Sequence, residues 1–522
     1  MNELINAEET EIKVMEEKKD NEEIFELHEK IAESLKDTAQ RNRNYNTWNI
    51  ILNHLRKKSV GIFYDDGNLY FFRKRDKRLM KIDSEQEDTS RLINTEFGII
   101  PSDQIFDKMV KNIRSMTYEF EPKKTNLKRS AYYCKKRNSV YLSIENGKVL
   151  KITEDEVKNV QNGYDDVVFY ANPEYFINDF EYDESINIDY IINNALDGNY
   201  KETETYKSED AKRLANTWLL SFFMPEMSKT RMIMVAYGEH GSFKTTFTNK
   251  LGWILKGDKF NVTSHDDKTD MDTITTNKTF VAFDNLETKA TTQFLDQLAR
   301  IATGSKISKR KLYTTNDVLE FETQVNVCIS AMTPTFRRPD VVERLLLVEM
   351  EKRDNEGYIS FSELRDDFLS NRDKYMSCMV NQIRYVLKQI RMENNKGYRS
   401  KIRMAELGLL LKYREGEEKA NRLLNSLKEK QMEYAEEFIT LPDIIQSYLD
   451  TKCMSNNNEI KGMSATELYK VLKTEASNML YPFKISSARA LGKELGKDIY
   501  QKRFKIEKER KLDAIYYSIK KA

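Results

Sequence analysis

Cysteine, histidine and proline are scarce in this chain of 522 residues, which has four cysteines, four histidines and eight prolines. The cysteines lie far apart (Cys134, Cys328, Cys378 and Cys453) without a C-x-x-C pair, which argues against a disulfide framework and a structural zinc site. No apolar run reaches the ~18–20 residues of a membrane span. The acidic first 20 residues lack the apolar core of a signal peptide. We therefore expect a soluble protein of the cytoplasm, or of the host cell interior if it is viral.

The chain also lacks an overall charge of one sign, because 85 basic residues nearly balance 84 acidic ones. Within individual segments, however, basic and acidic residues do not balance. Residues 1–40 hold 13 acidic and 5 basic residues with weak helical spacing, and residues 1–45 are predicted to be a solvated helix or a partly disordered arm. Residues 484–522 hold 12 basic and 5 acidic residues. A nucleic-acid partner is therefore expected only at particular segments.

Apolar periodicity divides the rest of the chain and predicts a multidomain α/β protein. Residues 46–200 are predicted to form an α+β domain, with hairpins around Asp66-Gly67 and Asn146-Gly147 and a helix over 102–116. In residues 201–352, apolar strands alternate with helices, which predicts a parallel α/β core. Residues 353–434 are predicted to be a helical lid or linker, and residues 435–522 a separate small module.

The segment YGEHGSFKTTF (237–247) follows the apolar strand MIMVAY (232–237) and opens an amphipathic helix. It approaches the phosphate-binding pattern G-x-x-x-x-G-K-[ST], with Phe243 in place of the second glycine. Lys244 would neutralise the β- and γ-phosphates of ATP, and Thr245 would reach Mg²⁺. Phe243 is predicted to point away from the phosphates. The predicted nucleotide contacts are Gly238, Glu239, His240, Gly241, Ser242, Phe243, Lys244, Thr245 and Thr246.

A second nucleotide element is predicted in TFVAFDNLE (279–287), an apolar strand that ends in a carboxylate. Asp284 would hold Mg²⁺ or its water together with Thr245, and Asn285, or alternatively Glu287, would orient the attacking water. The order of the two elements along the chain favours an ATP site. An ordinary core strand with an acidic end is the alternative for either element alone.

The region over about residues 200–350, and in particular the stretch from Gln293 to Met350, resembles superfamily 3 helicases, especially the AAA+-related primase-helicases of phages, plasmids and poxviruses. The loop also resembles the G-x-x-G-x-A-K-S loops of minichromosome-maintenance helicases. The resemblance implies a ring, in this case a homohexamer, with a DNA-gripping hairpin over 301–313 and 318–322. Its basic side chains would be Lys306, Lys309, Arg310 and Lys311. A solvated basic strand is the alternative.

The same resemblance implies two further ATPase residues. VNVCISAMTP (325–334) would be a sensor strand, with Thr333 or Ser330 near the γ-phosphate. Arg344 would reach the ATP of a neighbouring subunit, with Arg337 and Arg338 as rivals.

The C-terminal module is predicted to contain helices over 439–450, 464–477 and 486–498, followed by a hairpin over 503–521. This order is typical of a winged helix, which binds either DNA or protein. The predicted phosphate contacts are Arg489, Lys493, Lys497, Arg503 and Lys505.

We therefore expect an ATP-dependent replicative DNA helicase of a virus, plasmid or integrated element, with ATP and Mg²⁺ as cofactors. Its expected partners are single-stranded or forked DNA, further copies of the chain, and a primase or polymerase. One alternative is a replication initiator or DNA-packaging ATPase that does not separate strands. The other is a DNA-binding replication protein that does not hydrolyse ATP.

Overall fold

A computed structural model describes most of the chain. The described residues are 22–36, 39–57, 61–65, 68–73, 77–81, 87–115, 123–124, 127–264, 271–284, 292–310, 318–322, 324–332, 336, 338–352, 360–393, 399–400, 402–438, 441–452, 459–479, 483, 485–496, 504–511 and 514–521. Among them, no helix is both long enough and apolar enough to span a membrane.

The N-terminal part combines helices with a small sheet. Its helices are α1 (22–34), α2 (Gln40–Lys57), α3 (Glu87–Phe97) and α4 (Phe106–Ser115). Its strands are β1 (Gly61–Asp65), β2 (Asn68–Arg73), β3 (Arg78–Lys81) and β4 (Lys123–Lys124), in the order β3-β2-β1-β4. Asp65 pairs with Asn68, which confirms the hairpin predicted around Asp66-Gly67. Helix α4 confirms the helix predicted over 102–116.

Helix α1 is packed against its neighbours and is not a solvated arm. Its Leu27 and Ile31 are buried in one apolar cluster with Ile51 of α2 and Phe97 of α3. The spacing of four residues places Leu27 and Ile31 on one helical face, and that face packs against apolar residues of α2 and α3. Residues 1–21 lie outside the described part of the chain.

A second antiparallel sheet follows the chain order β5-β6-β7-β8. Its strands are β5 (Ala131–Cys134), β6 (Ser139–Ser143), β7 (Lys148–Ile152) and β8 (Val157–Gln161). The predicted hairpin around Asn146-Gly147 is confirmed, with a short 3₁₀ turn over Glu145–Gly147. Alternate residues such as Tyr133, Val140 and Leu142 bury one face of this sheet in the same apolar cluster as the central domain.

The central domain contains a five-stranded parallel sheet in the order β10-β11-β14-β9-β15. These strands are β9 (Ile233–Tyr237), β10 (Thr263–Ser264), β11 (Phe280–Asp284), β14 (Asn326–Ala331) and β15 (Leu345–Glu349). The helices are α5 (Tyr190–Asn194), α6 (Ser208–Phe223), α7 (Lys244–Lys256), α8 (Met271–Asn277), α9 (Thr292–Ala302) and α10 (Pro339–Val342). The predicted parallel α/β core is confirmed, and its nearly uninterrupted apolar strands fit a sheet buried on both faces.

Two further strands, β12 (Lys306–Arg310) and β13 (Val318–Glu322), pair with each other outside the parallel sheet. Arg310 pairs with Val318, so the backbone forms the predicted hairpin. Its tip over 311–317 lies outside the described residues. Arg231 N–H donates to Ala302 O at 2.8 Å, so the hairpin leaves the domain near the N-terminal edge of the parallel sheet.

After the central domain, the chain forms a series of helices and then a C-terminal module of helices and strands. The predicted helical stretch contains α11 (Phe361–Ser370), α12 (Arg372–Met392), α13 (Ala405–Glu415) and α14 (Glu417–Phe438). The C-terminal module contains α15 (Leu441–Lys452), β16 (Glu459–Ser464), α16 (Ala465–Asn478), α17 (Ala488–Leu495), β17 (Phe504–Arg510) and β18 (Ile515–Lys521). The module has an apolar cluster of its own, and the strand β16 was not predicted.

Candidate nucleotide-binding site

The order of the parallel strands brings the two predicted nucleotide elements to one edge of the sheet. Strand β14 lies between β9 and β11, and all three run in the same direction. The loop after β9, Asp284 at the end of β11 and Ser330 near the end of β14 therefore meet at the carboxyl ends of the strands. This edge is where open α/β sheets bind ligands.

The 238–243 loop turns sharply between β9 and α7 and depends on glycine. Gly238 has φ 152°, and a Cβ atom there would lie 2.0 Å from Met350 O, so no side chain fits. Gly241 has φ 80° in the left-handed region. The backbone thus approaches the end of β15 closely, and the loop can present N–H groups instead of side chains.

Phe243 adopts the conformation for which the usual pattern has glycine. It precedes helix α7 with φ 61° and ψ 23°, in the left-handed region. An L-residue in this region costs roughly 1–2 kcal/mol. The Phe243 side chain is half-buried, and its carbonyl accepts from the Phe247 N–H at 2.9 Å. The loop therefore keeps the expected backbone path despite the substitution.

The Lys244 side chain is held within the loop. Its Nζ donates to Glu239 O at 2.7 Å and to Ser242 Oγ at 3.2 Å, and the residue is buried. The N–H groups of the first turn of α7 have no partner within the helix, as in any helix N-terminus. A buried ammonium beside these N–H groups favours a bound anion such as a phosphate.

Thr245, Asp284 and Ser330 form a cluster of oxygen atoms at the same edge of the sheet. Thr245 Oγ1 donates to Asp284 Oδ1 at 2.8 Å, and Ser330 Oγ donates to the same oxygen. Hydroxyl and carboxylate oxygens are the ligands that Mg²⁺ prefers alongside water and substrate phosphates. Thr245 and Asp284 thus fit a magnesium ion bound together with a nucleotide.

A buried ion-pair network supports the strand that leads into the loop. Glu349, at the end of β15, accepts from Lys430 Nζ of α14 at 2.5 Å, from Lys201 Nζ at 2.7 Å and from Tyr237 Oη at 3.1 Å. Burial alone would raise the pKa of Glu349, but the two ammonium groups hold it below its usual value. Tyr237 directly precedes Gly238, so this network connects α14 to the start of the loop.

This network was not predicted from the sequence. Lys430 is 193 residues beyond Tyr237, in a helix that contains two other lysines, and no local pattern distinguishes it. Only the packing of α14 against β15, with Gln431 Nε2 donating to Leu345 O at 2.7 Å, brings Lys430 to Glu349.

The other predicted ATPase residues lie in different places. Glu239 and His240 are exposed and Thr246 is half-buried. Ser330 contacts Asp284, whereas Thr333, Asn285, Glu287 and Arg337 lie outside the described residues.

Arg344 and Arg338 lie at or near the opposite edge of the sheet. Arg344 precedes β15, is 8% exposed and donates from Nη1 to Ala299 O at 3.0 Å. Burial lowers its pKa, and the neighbouring Arg403 lowers it further. The guanidinium of Arg338 bonds both oxygens of Asp340, and hydrogen bonds to Asp340 and Asp296 raise its pKa. Neither arginine is placed at the 238–243 loop of its own chain.

The predicted DNA-binding residues are separated into two regions. Lys306, Lys309 and Arg310 lie on β12, whose side chains are not described, and Lys311 lies outside the described residues. In the C-terminal module, Arg489 and Lys493 are exposed on α17, and Lys505 is exposed on β17. Lys497 and Arg503 lie outside the described residues.

One protein family matches the middle of the chain. Residues 201–392 match the sequence model of a family described as actinomycete integrative conjugative element replication protein. The matched region includes the parallel sheet, the 238–243 loop and α12. No curated protein matches the chain in sequence.

Two solved structures resemble the chain at low identity. The apo C-terminal region of NrS-1 is 11% identical with a TM-score of 0.38, over 90% of this chain and 98% of that one. SCCmec type IV Cch, titled an active helicase, is 14% identical with a TM-score of 0.38, over 88% of this chain and 92% of that one. Similarities at this level carry no functional assignment for the chain.

Proposed function

We propose that the protein is an ATP-dependent DNA helicase that replicates a mobile element, with a P-loop AAA+-like core. The observation that carries the proposal is the cluster of Lys244, Thr245 and Asp284 at the carboxyl edge of a parallel sheet. The match of residues 201–392 to a conjugative-element replication family supports a role in replication. ATP and Mg²⁺ are the cofactors that these side chains fit.

In the proposed site, each residue has a separate task. The N–H groups of the 238–243 loop and the first turn of α7 bind phosphate oxygens, and Lys244 compensates the charge of the β- and γ-phosphates. Thr245 and Asp284 would hold Mg²⁺, which would supply positive charge beside the phosphates. Ser330 fixes the Asp284 carboxylate through its hydrogen bond. Asn285, or alternatively Glu287, would orient the attacking water, and Thr333 or Ser330 would be the sensor. Arg344, with Arg337 and Arg338 as rivals, would act on the ATP of a neighbouring subunit.

The proposed contacts with DNA use two parts of the chain. The hairpin β12–β13, with Lys306, Lys309, Arg310 and Lys311, would grip a single strand in the centre of a homohexameric ring. The C-terminal module follows the order helix, strand, helix, helix, strand, strand, which supports a winged helix. Exposed Arg489, Lys493 and Lys505 would contact the phosphates of duplex or forked DNA.

ATP turnover tests the site directly. The purified chain should hydrolyse ATP, and single-stranded DNA should stimulate the rate. Lys244→Ala should abolish turnover, and Asp284→Asn should retain nucleotide binding but lose hydrolysis, because the metal and water are no longer ordered. Lys229→Ala, at an exposed position near the domain, is the matched control and should be unaffected. Turnover at the wild-type rate by either site variant would refute the assignment.

Unwinding of a forked duplex distinguishes the proposal from its alternatives. A helicase should separate the strands only with ATP, and its mass in the presence of ATP should correspond to a ring. DNA-stimulated hydrolysis without strand separation would instead indicate an initiator or packaging ATPase. DNA binding with no hydrolysis would indicate a non-catalytic replication protein. Pull-down with a primase or polymerase of the same element tests the further partner.

A further inference from the structure

A third basic segment lies outside both DNA-binding regions discussed above. Residues 123–151 contain nine lysines and arginines and only one acidic residue, Glu145. Three tyrosines, at 132, 133 and 141, are interspersed among these basic residues. A chain that is nearly neutral overall thus concentrates positive charge in and around the β5–β8 sheet, where Tyr133 and Tyr141 are buried and Tyr132 is half-buried.

The register of this sheet aligns the segment on one face. Tyr132, Tyr141, Lys151 and Lys158 pair directly with one another across β5, β6, β7 and β8, so their side chains share a face. The opposite face packs into the central domain. We call the first one the outer face. Tyr141, in the middle of this face, is buried with Val149, Val167 and Phe169 in a separate apolar cluster. Tyr132, Lys151 and Lys158 are the half-buried members of the row.

Lysine ammonium groups lie beside tyrosine rings on this face. Lys128 Nζ lies 4.1 Å from the centre of the Tyr132 ring, and Lys151 Nζ lies 5.0 Å from the centre of the Tyr164 ring. Tyr164 is 43% exposed, although most large apolar or aromatic side chains of the described residues are buried. A ring for base stacking next to a cation for a phosphate is the combination that binds single-stranded nucleic acid.

The two residues after Tyr164 adopt a strained backbone conformation. Asp165 and Asp166 have φ 57° and φ 62°, and two successive non-glycine residues in the left-handed region cost roughly 1–3 kcal/mol each. The Asp165 carboxylate accepts from Tyr141 Oη at 2.5 Å and from Lys151 Nζ at 2.7 Å, and it lies 3.6 Å from Arg137 Nε. These contacts fix Tyr164 beside the exposed turn over 135–137.

Positive charge remains on the turn after these ion pairs are counted. Arg137 and Lys151 face the single carboxylate of Asp165, and Lys128 lies 4.0 Å from Glu226. Lys135 and Lys136 are exposed and form no ion pair with any residue that the structure describes. Two uncompensated ammonium groups next to an exposed ring fit a polyanion with accessible bases.

The β5–β8 sheet is hydrogen-bonded to the central domain near the predicted DNA hairpin. Tyr133 N–H donates to Glu226 Oε2 at 2.6 Å, and Ser130 Oγ lies 2.7 Å from Thr279 Oγ1. Arg129 and Ser130 line a narrow crevice together with Gln324, which almost directly follows β13. A strand of DNA held at the base of the hairpin would therefore meet this sheet next.

We propose that the outer face, comprising Lys128, Tyr132, the 135–137 turn, Lys151 and Tyr164, binds single-stranded DNA beside the motor. This inference deepens the proposed function by assigning the path of the strand next to the hairpin. Duplex DNA fits less well, because the bases of a duplex are stacked on one another and cannot use the Tyr164 ring. Tyr164 stacks on a base, and Lys135 and Lys136 contact the phosphates on either side.

Salt-dependent binding of a fluorescein-labelled 20-nucleotide oligo-dT, measured by anisotropy without ATP, tests the electrostatic part. Lys135→Ala/Lys136→Ala should lower the slope of log K against log salt by about 1.4, since each phosphate contact contributes about 0.7. The matched control, Lys374→Ala/Lys388→Ala, changes two exposed lysines on α12 and should leave the slope unchanged. An unchanged slope in the turn variant would overturn the proposal.

Two variants of Tyr164 test the proposed base stacking. Tyr164→Ala should weaken binding about tenfold, because base stacking contributes roughly 1–3 kcal/mol, whereas Tyr164→Phe should bind like the wild type. Cross-linking of the unaltered chain to 5-bromodeoxyuridine oligonucleotides gives a measurement that does not depend on any variant folding. Tyr132 or Tyr164 should appear in the cross-linked peptides. Cross-links confined to 306–322 and 484–522 would overturn the proposal.

The outcomes separate this inference from the proposed helicase. A chain that hydrolyses ATP and unwinds forks, with binding insensitive to Lys135 and Lys136, would retain the helicase proposal and lose the outer-face proposal. If the protein binds oligo-dT through these lysines without hydrolysing ATP, the outer-face proposal stands and the helicase proposal falls. A stronger effect of the turn variant on blunt duplex than on oligo-dT would also overturn the outer-face proposal.

Discussion

Phe243 combines a bulky side chain with a backbone conformation that favours glycine. Because its φ is 61°, the free-energy cost of having phenylalanine instead of glycine here arises in the backbone. Packing of the half-buried ring offsets part of this cost. The residue therefore changes the stability of the loop more than its path. The loop is completed by Gly238 and Gly241, which accommodate the close approach to Met350 O and the sharp turn.

We predict that Phe243→Gly retains nucleotide binding and that Phe243→Ile weakens it. Glycine relieves the left-handed strain, whereas a β-branched residue at φ 61° adds to it by about 1–2 kcal/mol and should weaken ATP binding about tenfold. Titration with a fluorescent ATP analogue checks both variants. Equal affinities for the two would show that the backbone conformation at residue 243 does not limit binding, and a loss of binding in Phe243→Gly would show that the ring is required.

At the scale of elements, α14 stabilises the end of the strand that leads into the loop. Lys430 is 4% exposed at its side chain and pairs with Glu349, which is 11% exposed. Removing one partner of a buried ion pair leaves the other charge uncompensated and costs about 3–5 kcal/mol. Lys201 remains close to Glu349, so the lower end of this range applies.

We therefore predict that Lys430→Met lowers the free energy of unfolding by about 3 kcal/mol at pH 7. Because the pKa of Glu349 is held below its unfolded value of about 4.3, its contribution is complete above that pH and is lost as the pH falls through the lower folded value. The variant should lose part of this dependence. Urea unfolding of both proteins at pH values from about 3 to 7 measures how the free energy of unfolding depends on pH.

Lys428→Met is the matched control, because Lys428 lies two positions earlier on the same helix and is exposed. It should change the free energy of unfolding by less than about 0.5 kcal/mol. Equal unfolding curves for Lys430→Met and the wild type would mean that the network does not stabilise the domain. A parallel loss of ATP affinity in Lys430→Met alone would show that the network also positions the 238–243 loop.

At the scale of the whole molecule, the C-terminal module is a unit with its own apolar cluster. The cluster includes Leu441, Leu468, Leu491 and Phe504, one from each of four elements of the module. None of its members belongs to the cluster of the central domain. The module and the central domain therefore have separate cores within one chain.

We predict that deletion of residues 435–522 leaves the central domain folded and weakens loading onto duplex or forked DNA. The deletion removes the exposed Arg489, Lys493 and Lys505, whereas the hairpin β12–β13 and the 238–243 loop remain. ATP turnover stimulated by single-stranded DNA should survive in part, and anisotropy with a forked duplex should show weaker binding. Complete loss of stimulated turnover would mean that the module takes part in every cycle.

The sequence alone determined the elements whose signals are local. Short, predominantly apolar segments predicted β9, β11, β14 and β15, because strands buried on both faces need mostly apolar side chains. Asp66-Gly67 and Asn146-Gly147 predicted two hairpins because tight turns favour these residue pairs. Lys244, Thr245 and Asp284 were predicted as one site because a phosphate loop and a strand-end carboxylate occur together in a fixed order.

Only the tertiary structure decided which distant residues meet. The insertion of β14 between β9 and β11 selects Ser330 as the partner of Asp284, and this order has no signature in the local sequence. Helix α1 is packed because its apolar face meets α2 and α3. Lys430 reaches Glu349, and Tyr164 reaches the basic turn, through the packing of segments far apart in the chain. Local patterns determine elements, whereas pairings between distant segments depend on the complete packed arrangement.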